Sequence, residues 1–568
     1  MQQNENLNNQ EHKVPGGQKA PQGEWRQQEV PGMQKTLVIQ NGGAQKLRKP
    51  INPVLRDNTP YFLGMAAIYS ICFAIAFYRN FVGITFPLIT AATLVVCGLF
   101  LKKSKILWKK PNWWYVGGCL LLGISTFLTT NLFVIFFNTV GILLLITVFM
   151  LRQAYYGNNW NFGQYLVNLL FLYLNMIPEL ASPFIHLANY LQKYKRAEKK
   201  NKNRNFIFIG ILIGLPMVAV VITLLSSADQ IFSRVVGEIC YKLFSQVIFS
   251  PNVFLVVLLI LLGFFGIYSF LSALTLNNMP EWEERGAKKN PVIAITFLSM
   301  ITAVYVVFCA IQLIFLFTGG LLLPEGYTYA EYAHQGFFQL LFVCIFNLVL
   351  VLFCLAIFEE NKILKTMLLL CSGCTYIMIA SSIFRMVLYI STYHLSFLRL
   401  LVLWFLGMLS VLMAGVIITV LKPKFDLFRY CMMVVTIFYV TFSFCKPDAI
   451  VAEYNFAKMG QEISFHDLEY LTRLSMDAAP VWSRYQFPHK NCNRQNTYVK
   501  EYDYYVYEGN WFYGTDDARY SKVQCCKRCL LNYRLHMILE KTKDMDARTF
   551  HCSKYLAKKA AKKYFSSY

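Results

Sequence analysis

The stretch GFFQLLFVCIFNLVLVLFCLAIF, at residues 336–358, contains no Asp, Glu, Lys, Arg or His. A helix needs about 20 mostly apolar residues to cross a hydrocarbon core about 30 Å thick, and this stretch is long enough to do so. Similar blocks occur along the chain and together predict eleven membrane spans. The predicted spans are residues 61–78, 81–101, 113–130, 132–151, 206–225, 252–274, 291–318, 336–358, 366–384, 400–421 and 427–444.

The composition agrees with this pattern. Of the 568 residues, 56% are hydrophobic and only 15% are charged, whereas about 25% of residues are charged in an ordinary soluble protein. This argues against a single water-soluble enzyme. We expect an all-α integral membrane protein with about eleven transmembrane helices, interfacial helices and a small exoplasmic C-terminal domain. The interfacial or half-buried helices are predicted in two amphipathic stretches, residues 161–192 and 230–248.

The distribution of Lys and Arg predicts the orientation of these spans. Cytoplasmic loops of membrane proteins carry an excess of both residues. With the N-terminus inside, the inner loops hold 25 Lys and Arg and the outer loops hold five. An odd number of spans then places the C-terminus outside. The net charge of +23 therefore reflects loop topology, and no nucleic-acid partner is expected.

Three regions follow from these patterns. Residues 1–59 are rich in Gln, Asn, Gly and Pro and predict a disordered cytoplasmic arm, with no signal peptide. Residues 60–444 form the predicted transmembrane domain. Residues 445–568 are polar and predict the exoplasmic domain, with one helix after Ser464 and a last, lysine-rich helix from Tyr555 to Phe565.

Several short sequence strings follow one another along the chain in a characteristic order. They are Ser226-Ser227-Ala228-Asp229, Tyr329-Ala330-Glu331-Tyr332-Ala333, Arg385 with Tyr389, Arg399-Leu400, Pro447-Asp448-Ala449 and Asp467-Leu468-Glu469-Tyr470-Leu471. In this set the chain resembles a bacterial family of polytopic membrane proteins catalogued as a domain of unknown function, the 4173/4153-type group, over roughly residues 60–480. The resemblance implies a bacterial cell membrane location and brings no established activity.

Polar side chains at the predicted outer edge of the spans form the candidate site. They could shape a pocket for a polar headgroup or a peptide. The alternative is structural, because Glu331 fits a helix capping box and Arg385 fits the negative end of a helix dipole. The buried amides Asn138, Gln312 and Asn347 are expected to hydrogen-bond between helices. The candidate ligand or partner residues are Asp229, Glu331, His334, Arg385, Tyr389 and Arg399.

The C-terminal region holds five cysteines, whose chemistry the spacing leaves open. A zinc site drawn from Cys526, Cys529, Cys552 and His551 is a weak candidate, because a single CxxC lacks a second pair of ligands. Disulfides are favoured outside the membrane. The favoured pairing links Cys492 and Cys552 each into the 525–529 cluster. No cofactor is expected.

No nucleotide-binding, metalloprotease or hydrolase motif occurs in the sequence. The favoured hypothesis is a non-enzymatic membrane protein that senses, scaffolds or regulates through its outer face. The alternatives are a transporter or channel for an uncharged or amphipathic solute, and an enzyme that acts on a lipid-linked substrate at the outer leaflet. The expected partners are the lipid bilayer and either a protein or an anionic lipid or wall polymer at the outer face.

Overall fold

The structure is a computed structural model that describes residues 53–106, 112–155, 160, 162–195, scattered positions from 214 to 226, and residues 228–244, 251–276, 288–317, 337–488 and 526–567. These residues form helices and turns, with a single isolated bridge between Lys289 and Phe358. Ten of the helices are long and apolar enough to cross a membrane. The protein is therefore an all-α polytopic membrane protein, as predicted.

The first seven helices occupy residues 53–195. Helix α1 (Pro53–Asp57) lies within the stretch predicted to be disordered, and its Leu55 is fully buried. The rest of the predicted arm lies outside the described residues. The helices that follow are α2 (Thr59–Phe77), α3 (Thr85–Lys103), α4 (Trp113–Leu128), α5 (Leu132–Ala154), α6 (Phe162–Met176) and α7 (Ser182–Lys195).

Seven further helices continue to residue 444. They are α8 (Gln230–Phe244), α9 (Pro251–Thr275), α10 (Pro291–Phe317), α11 (Phe337–Ile357), α12 (Lys362–Tyr393), α13 (Phe397–Leu421) and α14 (Leu427–Phe444). Nine predicted spans coincide with helices long and apolar enough to cross. The predicted span 113–130 is the sixteen-residue apolar helix α4, and most of the predicted span 206–225 lies outside the described residues.

The helix ends define two faces of the bundle. Arg79, just after α2, donates a hydrogen bond to Asn252 at the start of α9, so these two ends lie together. We call this end the tail face, because the C-terminal helices pack on it. At the opposite face, the end of α5 meets the start of α14 through an ion pair of 2.7 Å between Arg152 and Asp426. Successive membrane helices therefore run between these two faces.

Helices α6 and α7 stay close to the opposite face. Residues Phe162–Leu191 satisfy the length and composition of a span, yet a 3₁₀ turn at Pro178–Ala181 interrupts them. Glu179 accepts a hydrogen bond of 2.6 Å from Ser272, one turn before the end of α9. His186 lies 2.9 Å from the Tyr268 hydroxyl, and α7 contacts α1. These contacts favour the predicted half-buried arrangement over a full crossing.

The membrane helices bury three separate apolar cores, of which one joins α10–α13 to Leu427 at the start of α14. The first core joins α2–α6, α9 and α14, with Phe62, Phe100 and Phe149 fully buried. The second joins α10–α13 and continues without a break into the C-terminal region, from Met386 and Leu406 to Trp482 and Leu535. The C-terminal helices therefore rest on the tail face through a shared apolar core.

Five helices make up the described part of the C-terminal region. Proline at its first position starts α15, and the Ser464 side chain caps α16, so the helix predicted there is confirmed. The predicted lysine-rich last helix is also present and begins three residues earlier than expected. The helices are α15 (Pro447–Met459), α16 (Phe465–Arg473), α17 (Ala479–Trp482), α18 (Lys527–Lys541) and α19 (Cys552–Ser566).

Candidate functional site

Two of the predicted site residues, Glu331 and His334, lie outside the described residues. The predicted pocket that joins them to Arg385 therefore stays a prediction. Asp229 is exposed and accepts hydrogen bonds from the backbone N–H groups of Ile231 and Phe232, at 2.7 and 3.3 Å. It caps the start of α8, and this contact alone explains an acidic residue at that position.

Arg385 lies inside a helix rather than in a loop. The predicted span ended at residue 384, whereas α12 continues to Tyr393, about 14 Å further along at about 1.5 Å per residue. Arg385 is only 6% exposed. Its Nη2 donates to Gln312 Oε1 at 3.0 Å, and Ser381 donates to the same oxygen at 2.7 Å. Arg385, one residue beyond the predicted span, is therefore a buried ionisable side chain within α12.

Tyr389 and Arg399 come together where α12 turns into α13. The Arg399 guanidinium lies 4.3 Å from the centre of the Tyr389 ring. Its Nη1 donates to the carbonyls of Tyr393, at 2.5 Å, and of His394. Carbonyls at the end of a helix are left without intrahelical partners and attract cations. Arg399 therefore has a structural role in closing this turn.

A buried polar network at the tail face was not predicted. Its centre is Asp477, which is 5% exposed and precedes α17. The carboxylate accepts hydrogen bonds from the hydroxyls of Thr129, Thr130 and Ser553 and from the Thr130 backbone N–H, the last at 3.1 Å. One carboxylate thus joins the α4–α5 turn to two separate parts of the C-terminal region.

Asp448, at the start of α15, is the second acidic residue of this network. It is 2% exposed, and its Oδ2 accepts from Asn131 Nδ2 at 2.8 Å and from the Ser475 backbone N–H at 3.1 Å. Its Oδ1 makes no hydrogen bond within the described residues. Burial raises the pKa of this carboxyl, and the nearby Asp477 carboxylate raises it further.

His551 completes the network from the start of α19. The side chain is fully buried, with Nε2 at 3.1 Å from the Thr129 carbonyl and Nδ1 at 3.5 Å from the Lys554 backbone N–H. The carbonyl requires a proton on Nε2, and the N–H requires a lone pair on Nδ1, so the geometry selects one neutral tautomer. Burial lowers the pKa of His551 from 6.5 to about 4, and nearby Lys554 acts in the same direction.

Polar contacts continue from this network into the membrane helices. Asn138 of α5 donates to Thr126 of α4 at 3.0 Å and accepts from Ser443 of α14 at 3.0 Å. Ser443 also shares a hydrogen bond with Ser125. The prediction that Asn138 bonds between helices is confirmed. The same holds for Gln312 and for Asn347, which bonds Tyr305 and Thr375.

The loop before α19 is fixed to the turn between α2 and α3. Arg548 donates to the carbonyls of Tyr78 and Ile75, at 2.6 and 3.2 Å. Asn80 donates to the Arg548 carbonyl at 2.9 Å, and the Ile84 N–H donates to the Phe550 carbonyl at 2.9 Å. Backbone carbonyls carry no sequence signal, which is why sequence analysis missed these contacts.

The C-terminal cysteines do not gather into one site. Cys526 and Cys529 have their sulfur atoms 3.2 Å apart at the start of α18. Cys552 starts α19, which packs antiparallel to α18, with Lys558 near Thr542 and His536 near Phe565. Cys552 therefore lies at the far end of this helix pair, and the predicted bridge to Cys526 or Cys529 does not form. Cys492 and Cys525 lie outside the described residues.

The zinc candidate fails for the same reason. The Cys526–Cys529 pair at the start of α18 lies apart from His551 and Cys552 at the start of α19. His551 also turns both ring nitrogens to backbone groups. Across the part of the chain that the structure describes, no three His, Cys, Asp or Glu side chains are grouped closely enough to hold a metal ion.

Comparison with known proteins identifies a family. A family model described as Domain of unknown function (DUF4153) matches residues 116–485, which is more than half of the chain. No curated protein and no solved structure matches the chain. The matched range includes Asp448 and Asp477 of the tail-face network and ends before α18 and α19. The chain belongs to the family described as Domain of unknown function (DUF4153).

Proposed function

We propose that the protein is a non-enzymatic sensor or regulator in the bacterial cell membrane. In this proposal the N-terminus is cytoplasmic, and the C-terminal helices on the tail face bind a protein partner outside the cytoplasm. The buried network transmits the position of these helices to α4, α5 and α14. The family match and the ten long apolar helices support the membrane class.

The observation that carries the proposal is the position of Asp477. Its carboxylate bonds the α4–α5 turn through Thr129 and the start of α19 through Ser553. Loss of the Thr129 contact would leave the buried Oδ2 of Asp477 without a hydrogen bond, which costs about 1–3 kcal/mol. Loss of the Ser553 contact would remove one of the three donors to Oδ1. A partner that shifts α19 must therefore also disturb the end of α4. Such coupling between an exposed region and membrane helices is what a sensor requires.

Exposed residues of the C-terminal region give the partner a surface. Tyr555 is 47% exposed and contacts Phe550, which in turn contacts Phe127 in the last turn of α4. Lys559, Lys562 and Lys563 are exposed along the same helix. An exposed aromatic ring beside several cations is suited to an acidic protein surface, because aromatic residues and charge complementarity dominate such interfaces.

Site-specific photocrosslinking in native membranes tests this function. A photoreactive amino acid at Lys559 should give a discrete crosslinked polypeptide, and the same residue at Ile437, exposed on α14, should give none. The Asp477→Asn variant should weaken the Lys559 crosslink. Equal labelling at both positions would contradict the proposal, as would solute flux or lipid turnover by the purified protein in liposomes.

A further inference from the structure

Cys526 and Cys529 place two sulfur atoms at the start of α18. Cys526 is the N-cap residue and Cys529 follows one turn later, so both side chains lie on the same side of the helix. Their sulfur atoms are 3.2 Å apart, and both residues are partly exposed. A disulfide bond is about 2.05 Å long, so an approach of about 1.2 Å would close the pair.

The surroundings of the pair favour thiol chemistry. Fifteen residues of regular helix follow Cys526, and the first turn contains no acidic residue. The two residues between the cysteines are Lys527 and Arg528. Cations and helix N-termini stabilise a thiolate, which is the form that attacks a disulfide. Leu530 and Leu531, which follow at once, are buried and hold the start of α18 in place.

Seven cysteines of the described membrane helices are buried, unlike this pair. Cys309, Cys344, Cys354 and Cys371 are all buried among apolar side chains, where cysteine acts as a small hydrophobic residue. Cys552 is partly exposed but lies at the other end of the α18–α19 pair. Proximity, partial exposure and neighbouring cations therefore coincide at Cys526 and Cys529.

We propose that Cys526 and Cys529 form a redox-active dithiol that closes and opens by exchange with an external disulfide. One cysteine, as the thiolate, attacks a sulfur of the external disulfide, and a mixed disulfide forms while one thiolate leaves. The second cysteine, after losing its proton, attacks the mixed disulfide and releases the other external thiolate. Two electrons and two protons pass from the pair to the external disulfide, which becomes two thiols.

This inference does not depend on the proposed function. The pair lies beyond the range matched by the family model, so it is a feature of this chain's own C-terminal region. A closed bridge would tie the N-cap of α18 to its first turn. The redox state of the surroundings would thereby act on the region that packs on the tail face.

Differential alkylation with mass spectrometry tests the pair in the intact, purified protein. Cys526 and Cys529 should both be alkylated before treatment, and oxidised glutathione should protect both from alkylation together. The mass of the peptide that contains both cysteines should fall by that of two hydrogens. Excess reduced glutathione should restore alkylation of both residues. Cys552 should stay alkylated throughout, and the Cys552→Ser variant should behave like the wild type.

The single variants Cys526→Ser and Cys529→Ser test the mechanism. Each should keep one glutathione on the remaining cysteine, because the partner thiol that would release it has been replaced. Three outcomes would overturn the proposal: both cysteines remain alkylated in oxidised glutathione, the isolated protein contains a bridge from Cys492, Cys525 or Cys552 to either residue, or the single variants retain no glutathione.

Discussion

His551 fixes α19 to the membrane helices only in its neutral form. A proton on Nδ1 would face the Lys554 N–H at 3.5 Å and remove the cap of α19. Because the pKa of His551 falls from 6.5 to about 4 on folding, its contribution is complete above about pH 6.5 and is lost as the pH falls towards 4. The full loss is on the order of 3 kcal/mol.

We therefore expect the purified protein to lose stability between about pH 6.5 and about pH 4.5. Thermal melts across this range should show the loss in the wild type and a smaller loss in His551→Asn, which keeps a capping side chain. The exposed His466 provides the control variant His466→Gln. Equal pH dependence in wild type and His551→Asn would exclude His551 as the group responsible. Asp448 acts with the opposite sign, since a raised pKa favours the folded state at low pH.

Arg399 allows a test between a structural role and a ligand site. It binds the last carbonyls of α12 and lies against Tyr389, and such helix-end and cation–π contacts contribute about 1 kcal/mol. Arg399→Gln should lower the melting temperature, while the control Arg484→Gln, an exposed ion pair of 3.5 Å with Glu453, should not. Unchanged stability together with loss of a copurifying lipid or protein would support a ligand site instead.

Sequence patterns identified polar side chains inside apolar blocks and missed those whose hydrogen-bond partners lie in distant parts of the chain. Asn138 was found because an amide inside an apolar block must hydrogen-bond with a neighbouring helix. Asp477 was missed because its partners Thr129 and Ser553 are ordinary residues in distant parts of the chain. Arg385 was predicted at a helix end but lies about two turns inside α12, and its burial on Gln312 depends on how α10 packs against α12.

At the scale of helices, Gly415 permits close packing between α13 and α14. A Cβ atom at this position would lie 2.2 Å from the Tyr430 ring, whose hydroxyl donates to the Val411 carbonyl. Gly415→Ala should therefore destabilise the protein by about 1–3 kcal/mol through overpacking.

Gly373→Ala is the matched control, because a Cβ atom there has no neighbour within 4 Å. Melting temperatures of the two variants should separate clearly. In the double variant Gly415→Ala with Tyr430→Ala, the loss in the free energy of unfolding should be smaller than the sum of the two single losses. The reason is that the Tyr430 ring, which would clash with the new Cβ atom, is absent. Equal melting temperatures for Gly415→Ala and Gly373→Ala would show that α13 and α14 are not in contact here.

The sequence predicted which segments form membrane helices better than it predicted where those helices end. Long apolar blocks must form helices in lipid, because every backbone group needs a partner. The end of α12 was missed because polar residues after Arg385, such as Ser391 and Thr392, still continue the helix, with their hydroxyls donating to the Leu388 carbonyl. The break between α6 and α7 falls at Pro178, and Pro183 follows at the start of α7, because proline cannot donate a helical backbone hydrogen bond.

At the scale of the whole molecule, the topology remains the main prediction. The charge asymmetry places residue 200 in the cytoplasm and residue 480 outside. Helix α5 ends at the opposite face, whereas the helices around residue 480 pack on the tail face. Reporter fusions at residues 200 and 480 should therefore give opposite locations. The same location for both would contradict the predicted topology.

The central claim is that the C-terminal helices and the α4–α5 turn are held together by Asp477. Hydrogen exchange of the intact protein in lipid nanodiscs, compared between wild type and Asp477→Asn, tests this most directly. The substitution replaces one carboxylate oxygen, which accepts hydrogen bonds, by an NH2 group that faces hydroxyl and N–H donors. We expect it to lower the free energy of unfolding by about 2 kcal/mol. Residues 126–134 and 547–560 should both exchange at least about 10-fold faster in the variant, while the control Glu453→Gln changes neither. Faster exchange in only one of these segments, or in neither, would contradict the claim.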